Sequence, residues 1–326
     1  MVSLVMVGVT TPAPVVALGR GPTFNTLGEV DGQAVITITA LPTYPTSGQL
    51  NMTTVGVTDG LTMVETLRRW ASGDFKIIPR SSVFPPGASA EEVANQNREQ
   101  FVDSQFSAEA AALDHVGLAT EVFVDGLSDG SPSAGVLAVG DRLINVAGRP
   151  VHGLESLHEA LAATHPGQPV TVGFQRNGDP PQQALVTLGE SPTGPRGMLG
   201  VLPGARPPGN AEIIISLGDI GGPSAGLIFA LAVVDKLTPG PLTGGKFIAG
   251  TGTIRFDGTV GRIDGIRFKM LTARESGATV FLVPAGNCAE ARSTAPEGLQ
   301  LVKVDDLDGA VAALDTLRAG RTPATC

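Results

Sequence analysis

The sequence predicts a multidomain α+β protein, and three features of the chain indicate this class. Apolar and polar residues alternate at 33–39 and 50–57, which is the period-two pattern of half-buried strands. Residues 116–190 form a compact unit of predicted strands around a single predicted helix. After a stretch rich in glycine and proline at 191–211, predicted to be a linker, strands alternate with helices, which indicates a domain of another kind.

The composition excludes several classes of function. The net charge is −9, the chain has five lysines, and no basic run offers a cationic stripe to phosphates, so a nucleic-acid partner is excluded. The two cysteines lack metal-ligand spacing, and the sequence predicts neither a metal nor a cofactor. A disulfide between Cys288 and Cys326 stays open, because it suits an exported protein whereas Cys326 is the terminal residue.

Residues 1–25 are predicted to be the end of a membrane anchor or a leader. Residues 1–9 are apolar, but threonines and prolines at 10–14 interrupt the run well before the roughly 20 residues that a membrane span needs. The first basic residue is Arg20, which argues against the basic start of a signal peptide. A buried first strand is the alternative interpretation of the same residues.

Residues 26–115 are predicted to form an α/β region with a long helix. Ser89 and Glu92 have the capping-box spacing that starts a helix. One stripe of this helix is apolar, which predicts a face packed in the core. The stripe consists of Val102, Phe106, Ala110 and Leu113.

The unit at 116–190 combines a turn-rich stretch at 130–135, a Gly-Asp turn with a strand at 140–148 and a helix at about 154–163. This order resembles a PDZ domain. The resemblance implies a module that adds a peptide to a sheet edge and holds its terminal carboxylate with backbone N–H groups. The segment in the place of the carboxylate-binding loop consists of Val116, Gly117, Leu118 and Ala119.

Ser224 is the candidate nucleophile. It lies in a glycine-rich turn, GGPSAG at 221–226, that joins an apolar strand to an apolar helix. A helix N-terminus has free N–H groups and a partial positive charge, which favour an oxyanion formed there. A helix N-cap serine is the alternative interpretation. The candidate oxyanion and turn residues are Gly222, Pro223 and Ala225.

Two other motif matches fail. The Gly-x-Ser-x-Gly spacing around Ser224 is that of an α/β-hydrolase, but that fold needs a histidine after the serine, and all four histidines of this chain precede it. Residues 240–246 (GPLTGGK) have the spacing of a phosphate-binding loop. Phe247 then occupies the position that requires a serine or threonine, so this segment is predicted to be a turn.

Lys269 is the candidate base for Ser224. It lies in a predicted helix over residues 264–278, within a stripe that also contains Ile266, Met270 and Ala273. A lysine in an apolar stripe can snorkel so that its amine stays in water. A desolvated lysine instead has a lowered pKa and can accept a proton from a serine.

Two blocks resemble the active-site blocks of the Lon peptidase domain, namely residues 221–226 and 265–273 (GIRFKMLTA). The segments between and after these blocks fit the same pattern, so the resemblance spans about residues 212–317. It implies that Ser224 and Lys269 form a catalytic dyad.

The resemblance implies a role for one more residue and shows two departures. Thr251 matches a threonine of the family and is expected to hydrogen-bond the lysine amine. The family usually has an acidic residue at the position of Gly221 and a glutamate at the position of Thr253. These departures concern the gating of substrate more than the dyad.

Lon peptidase domains begin with a β-hairpin and a helix, which residues 191–211 are too short to supply. Residues 26–115 contain both elements. The peptidase domain, whose main part is 212–326, is therefore predicted to be discontinuous, with the PDZ-like unit of 116–190 inserted in it.

The whole chain resembles a bacterial group of membrane-anchored PDZ–Lon proteins without an ATPase, through the segments at 18–28 (LGRGPTFNTLG) and 102–117. The resemblance implies an ATP-independent serine endopeptidase for polypeptide substrates, anchored in a membrane with its body outside the cytoplasm. A non-hydrolytic PDZ scaffold at the membrane is the alternative. A homo-oligomer stays open, because Lon peptidase domains often form hexameric rings.

Overall fold

The structure is a computed structural model, and it describes residues 12–191, 194–218 and 220–326. The apolar run at 1–9, predicted to end a membrane anchor, lies outside these ranges. Within them, no helix is both long enough and apolar enough to cross a membrane. Helices and strands occur in both halves of the chain, so the predicted α+β class is confirmed.

A six-stranded mixed sheet forms the centre of the larger domain, in the order β20-β19-β16-β5-β1-β6. Its strands are β1 (Val15–Asn25), β5 (Gln49–Thr58), β6 (Lys76–Pro79), β16 (Phe247–Gly250), β19 (Val280–Pro284) and β20 (Gln300–Val304). β1 pairs antiparallel with β5 and β6, whereas β5, β16, β19 and β20 run parallel. Every residue of β19 is buried, as expected for a parallel strand covered on both faces.

Strand β1 corrects the predicted leader at residues 1–25. From Val15 onward the chain belongs to the central sheet, between β5 and β6. Val16 and Ala17 are fully buried in this sheet. The folded part of the larger domain therefore includes residues that the sequence assigned to the leader.

Helices pack on both faces of the central sheet, as the alternating residues of β19 indicate. Val280 and Leu282 belong to one apolar cluster, whereas Phe281 and Val283 belong to another. The first cluster includes residues of α2 (Ala90–His115), α4 (Gly226–Leu237) and α7 (Leu307–Arg318), and the second includes residues of α5 (Ile266–Glu275) and α6 (Cys288–Thr294). The other helices of the larger domain within the described residues are α1 (Met63–Ser72), which buries none of its side chains, and the single turns Arg80–Ser82 and Ala285–Asn287.

Segments from before and after the smaller domain build one core. β4 (Ile36–Thr39) pairs with β15 (Glu212–Ile215), and the ring of Phe101 on α2 meets that of Phe229 on α4 edge-on at 5.7 Å. Two short hairpins complete this part of the fold. They are β2 (Glu29–Val30) with β3 (Gln33–Ala34), and β17 (Thr253–Ile254) with β18 (Val260–Gly261).

The smaller domain contains a second sheet, in the order β11-β10-β8-β7-β14, with β9 paired to β8. Its strands are β7 (Glu121–Leu127), β8 (Arg142–Val146), β9 (Arg149–Pro150), β10 (Pro169–Gln175), β11 (Gln182–Thr187) and β14 (Val201–Arg206). α3 (Leu154–Ala162) packs on this sheet and contributes Leu157 and Ala160 to a separate apolar core. Among the residues that the structure describes, β14 has a single strand neighbour, β7, so it lies at an edge of the sheet.

The predicted linker at 191–211 is wrong over most of its length. β13 (Gly194–Met198) pairs with β12 (Gly189–Ser191), and β14 pairs with β7. The glycines that suggested a loop stand where neighbours approach closely, since a Cβ on Gly204 would lie 1.7 Å from the Asp125 carboxylate. The smaller domain therefore extends to about residue 206 rather than 190.

Cys288 and Cys326 form a disulfide, so the pairing that the sequence left open is present. It joins α6 to the C-terminal residue, and the N–H of Lys303 in β20 donates to the Ala324 carbonyl nearby. The last residues of the chain are therefore held against the larger domain.

Candidate active site

Ser224 lies on a tight loop between β15 and α4. We refer to residues 221–225 as the Ser224 loop. Gly222 has a φ of 89°, a left-handed conformation that glycine adopts without strain, and this turns the chain toward the helix. α4 begins at Gly226 and is buried along most of its length, so it provides a rigid base for the serine.

Helix α2 holds the Ser224 loop from one side. The N–H of Gly222 donates to the Asn97 carbonyl at 2.8 Å, and Ser104 Oγ donates to the Pro223 carbonyl at 3.1 Å. A Cβ on Gly221 would lie 2.9 Å from the Cβ of Asn97. An acidic side chain, as the Lon resemblance expects at this position, therefore has no room here.

Lys269 reaches Ser224 from helix α5. Its Nζ donates to Ser224 Oγ at 2.9 Å and to the Thr53 carbonyl at 2.6 Å. The side chain is 2% exposed, because α5 packs against β1 and β5 through the stripe that includes Ile266 and Met270. The snorkelling alternative therefore does not apply to Lys269.

Burial lowers the pKa of Lys269 from 10.5 to about 7, because the ammonium form loses its hydration inside the protein. No carboxylate within the described residues forms an ion pair with this amine, so nothing offsets the loss. A substantial fraction of the side chain is then neutral at neutral pH, which is the form that accepts a proton.

Thr251 does not hydrogen-bond the lysine amine, which corrects the role expected from the resemblance. Its Oγ1 donates to the Ser224 carbonyl at 2.9 Å, and the Gly252 N–H donates to the same carbonyl at 2.9 Å. Thr251 is fully buried. It therefore positions the backbone of Ser224, while the carbonyl of Thr53 orients the amine.

The candidate oxyanion residues differ in what their backbones offer. The N–H of Gly222 is engaged by Asn97, and Pro223 has no N–H at all. Across the described ranges, the N–H groups of Ser224 and Ala225 donate to no other group. These two groups, at the positive end of α4, are the donors that remain for an oxyanion.

A cavity of about 620 Å³ opens in front of Ser224. Lys269 lies in its wall together with the Ser224 loop, Thr54 and Val55 of β5, and Thr253 of the β17–β18 hairpin. A volume of this size accommodates several residues of a peptide. The second departure from the family pattern, Thr253, thus lines the cavity in place of a carboxylate.

No histidine in the described part of the chain lines this cavity. His115 contacts Asp308 at 2.5 Å, and His158 contacts Arg196 in the smaller domain. His152 lies near Gly117 in another cavity. A Ser-His-Asp triad at Ser224 is therefore absent from the described residues.

Three of the four N–H groups of the predicted carboxylate-binding loop are already engaged. The N–H groups of Val116, Gly117 and Leu118 donate to carbonyls of α2, at Ala112, Asp114 and Leu113 respectively. These bonds close the C-terminus of α2, a role that the sequence did not reveal. Gly117, Leu118 and Ala119 do lie beside the start of α3, as predicted, but they cannot form a carboxylate nest.

A different groove lies between β14 and α3 and measures about 560 Å³; we call it the β14–α3 groove. Leu157 and Leu161 of α3 form one side, and Val201 of β14 and Met198, which precedes that strand, line the groove as well. Across the described ranges, the N–H groups of Leu199 and Gly200 donate to no other group. Two unpaired donors beside an edge strand are the features that the resemblance led us to expect at residues 116–119.

Two parts of the chain match known families. Residues 218–314 match the Lon protease (S16) C-terminal proteolytic domain, and residues 96–187 match the PDZ domain. The chain contains a Lon-type proteolytic domain and a PDZ domain. The first match includes Ser224, Thr251 and Lys269, and this composition supports a serine peptidase.

The Lon-type domain has curated relatives in bacteria. The Lon protease of Clostridioides difficile (strain 630) is 37% identical over 90 residues, which cover 27% of this chain and 11% of the relative. Lon protease 1 of Sorangium cellulosum (strain So ce56) is 39% identical over 106 residues, 32% of this chain and 13% of the relative. The alignments thus span little more than a tenth of these relatives.

Two further similarities are to a magnetosome formation protease and to a solved PDZ domain. The magnetosome formation protease MamE of Magnetospirillum gryphiswaldense is 35% identical over 98 residues, which cover 26% of this chain and 13% of the relative. The solved PDZ domain of an SdrC-like protein from Listeria monocytogenes has a TM-score of 0.23 and 23% identity, and covers 24% of this chain and 83% of that chain.

Several residues of the site were not found from the sequence. Thr53 contributes a backbone carbonyl, and no side-chain pattern identifies such a group. Asn97 and Ser104 of α2 are distant in sequence from the loop that they hold. The loop of the PDZ domain at 197–200 (GMLG) had a usable signal, because two glycines flank an apolar pair immediately before an apolar strand.

Proposed function

We propose that this chain is an ATP-independent serine endopeptidase in which Ser224 is the nucleophile and Lys269 the general base. The observation that carries the proposal is the 2.9 Å contact between Lys269 Nζ and Ser224 Oγ, made by a buried amine. A neutral amine has one lone pair and two N–H groups. With one N–H directed to the Thr53 carbonyl, its lone pair can accept the hydroxyl proton.

Acylation then proceeds in two steps. Ser224 Oγ bonds to a peptide carbonyl carbon while its proton moves to Lys269 Nζ, and the oxyanion accepts hydrogen bonds from the N–H groups of Ser224 and Ala225. The C–N bond breaks, and the leaving amine takes the proton from Lys269. Neutral Lys269 next removes a proton from water, which attacks the acyl carbon, and returns that proton to Ser224 Oγ.

Independence from ATP is part of the proposal. Residues 240–246 form a turn between α4 and β16, with Thr243 Oγ1 donating to the Ser47 carbonyl, so this segment does not cradle a phosphate. Without a motor to unfold them, substrates are expected to be flexible tails or loops of polypeptides.

The test is cleavage of an unstructured polypeptide by the full chain. Ser224→Ala and Lys269→Ala are each expected to lower the rate by at least about a thousandfold, with folding unchanged by circular dichroism. Cleavage that persists in Lys269→Ala overturns the dyad. Loss of cleavage in a folded histidine variant would instead point to a triad, and no cleavage by the wild type would favour a binding scaffold.

We further propose that the PDZ domain captures the C-terminus of a substrate in the β14–α3 groove. The edge position of β14 supports this, because an added peptide strand can pair with its free side. The unpaired N–H groups of Leu199 and Gly200 supply donors for a terminal carboxylate. Faster cleavage of a peptide with a free C-terminus than of its amidated form is expected, and equal rates would contradict capture.

We also propose membrane attachment through an N-terminal anchor to which residues 1–9 belong, with the body outside the cytoplasm, and this proposal rests on the sequence. The Cys288–Cys326 disulfide supports it, because such bonds persist in oxidising compartments. Alkylation of the protein in intact cells, followed by membrane fractionation, tests both parts. Free thiols at Cys288 and Cys326 would contradict a location outside the cytoplasm. Recovery of the protein in the fraction that carbonate extracts would contradict membrane attachment.

A further inference from the structure

The β14–α3 groove is walled by both domains of the chain. Leu157 and Leu161 of the PDZ domain face Val102 and Phe106 of α2, and Phe256 of the Lon-type domain also lines it. Val102 is 40% exposed although it was predicted to pack in the core. This end of the apolar stripe therefore faces an open groove, whereas Ala110 and Leu113 further along α2 are buried.

The same stretch of α2 holds the Ser224 loop with its other side. Ser104, between the groove residues Val102 and Phe106, donates to the Pro223 carbonyl at 3.1 Å. One turn before Phe101, the Asn97 carbonyl accepts the N–H of Gly222 at 2.8 Å. Less than two turns of helix thus connect the groove to the loop that carries the nucleophile.

A second connection runs through the β17–β18 hairpin. Phe256 at its tip lines the groove, with its ring centroid 6.1 Å from that of His158 on α3. Thr253 at its base lines the cavity in front of Ser224. Ile254, between them, is buried and lies against Gly226 at the start of α4.

The first half of α2 is held by few contacts. Val93 is the sole buried residue of α2 before Phe101. A helix end with so little buried surface opens locally at a low free-energy cost. The contacts of Asn97 with the Ser224 loop are therefore sensitive to anything that stabilises α2 in its docked position.

The chemistry of the groove indicates its occupant. An unpaired strand edge can pair with an extended peptide, and the free N–H groups of Leu199 and Gly200 can donate to a carboxylate. Leu157, Leu161 and Met198 provide an apolar lining. A polypeptide C-terminus with an apolar last side chain fits these features.

We propose that such a C-terminus, bound in the β14–α3 groove, activates hydrolysis at Ser224 by clamping α2 against the Ser224 loop. The proposal rests on the peptidase function proposed above. A bound tail covers Val102 and Phe106 when α2 is docked, and it loses its contact with Val102 when the opening of the first half of α2 runs on past Phe101. This difference shifts the equilibrium toward the docked state. Ser104 and Asn97 act as positioning residues, because they transmit the change through their hydrogen bonds to the Ser224 loop.

The experiment adds a tail in trans. The reporter is an internally quenched peptide with an amidated C-terminus, which has no carboxylate for the groove, and the tail is a short peptide ending in valine. We expect the tail to raise the kcat for the reporter by about fivefold or more. Its amidated form is expected to have no effect. No change in rate, or inhibition by the free tail, overturns the proposal.

Variants of α2 test the route. Ser104→Ala removes the donor to the Pro223 carbonyl, and activation is expected to fall to about onefold while the affinity for a fluorescent tail stays unchanged. Ser107→Ala removes the same atom one turn along the helix, facing the groove, and is expected to retain activation. Equal activation in Ser104→Ala and wild type, at equal tail affinity, overturns the role of Ser104.

Variants of the groove test the site. Leu161→Asp is expected to abolish tail binding and activation, whereas Leu185→Asp, at a side chain that is 65% exposed outside the groove, is expected to change neither.

Hydrogen exchange of the Ser224 and Ala225 amides gives a readout without catalysis, and the tail is expected to slow it. If the tail slows amide exchange in the wild type but the wild type hydrolyses no peptide, the peptidase function alone is refuted. If the wild type hydrolyses the reporter but the tail changes neither amide exchange nor the rate of hydrolysis, the activation alone is refuted.

Discussion

The buried amine of Lys269 links the chemistry of the site to the stability of the fold. Its pKa of about 7 lies below the ordinary value of 10.5, so the unfolded chain binds more protons than the folded one between these pH values. The free energy of unfolding therefore rises with pH through this window. Below about pH 7 both states carry the proton, and burial of the charge costs stability.

Lys269→Met is expected to raise the melting temperature at pH 7, because methionine fills a similar volume without a charge to desolvate. The difference from wild type should shrink as the pH approaches 10. Thermal denaturation at the two pH values measures it, with Lys246→Met as the control at an exposed lysine. A difference that does not vary with pH would contradict the burial of a titrating amine.

Thr251→Val tests the corrected role of that residue. The change keeps the shape and removes the donor to the Ser224 carbonyl, which retains its bond from the Gly252 N–H. We expect a loss of about 1 kcal/mol in stability and a lower kcat. The pH midpoint of the rate should equal that of wild type, since Thr251 does not hydrogen-bond Lys269. A shifted midpoint would restore the role that the resemblance implied.

Sequence reasoning predicted Ser224 and Lys269, which the structure brings into contact, but not the groups that position them. The resemblance to the Lon peptidase domain implied the pair, and Lys269 also stands out as a charged residue within an apolar stripe. The partners of the amine depend on how distant segments pack. Every residue type has a backbone carbonyl like the one that Thr53 contributes, so its sequence gives no signal. The side chain of Thr251 donates to the Ser224 carbonyl instead of the expected amine.

At the scale of elements, α2 also carries a buried carboxyl group at the junction of the two domains. Glu109 is 7% exposed, and burial raises its pKa from 4.5 to about 8. Arg206 opposes this rise in pKa, whereas the nearby Asp125 and Glu212 contribute to it. The folded state then holds a proton that the unfolded chain releases, so stability falls as the pH rises from 4.5 to 8.

Glu109→Gln is expected to raise the melting temperature at about pH 9, where the wild type has a buried charge, and to change it little at about pH 5. Glu99→Gln, at an exposed position of the same helix, serves as the matched control. A gain at pH 5 as large as that at pH 9 would contradict a raised pKa at Glu109.

Elements with regular patterns were predicted well, whereas glycine-rich strands were not. The capping box at Ser89 and Glu92 starts α2 where it was expected. β13 and β14 were interpreted as linker because their glycines resemble loop residues, although close approach of Asp125 to Gly204 requires one there. Local sequence does not reveal such an approach, since the neighbour comes from another strand.

At the scale of the whole molecule, the Lon-type domain draws its core from both sides of the PDZ domain. Val35, Leu50 and Leu113 belong to the same apolar cluster as Phe229 and Leu314. The PDZ domain instead has a cluster of its own. The two parts should therefore differ in their ability to fold alone.

Residues 207–326 alone are expected to lack a cooperative thermal transition and to be inactive, because β1, β5, β6 and α2 are missing from their core. Residues 116–206 alone are expected to unfold cooperatively. Circular dichroism and size-exclusion chromatography of the two fragments measure this contrast. Hydrolysis by folded residues 207–326 would refute a core built from both segments.

The pH dependence of Ser224 acylation tests the central claim of a Ser-Lys dyad most directly. An active-site-directed fluorophosphonate reacts with the full chain over a range of pH, and the rate of labelling is followed. The rate is predicted to rise with pH, with a midpoint near the Lys269 pKa of about 7, and to be abolished in Lys269→Ala and Ser224→Ala. A rate that is independent of pH, or that survives in Lys269→Ala, would contradict the dyad.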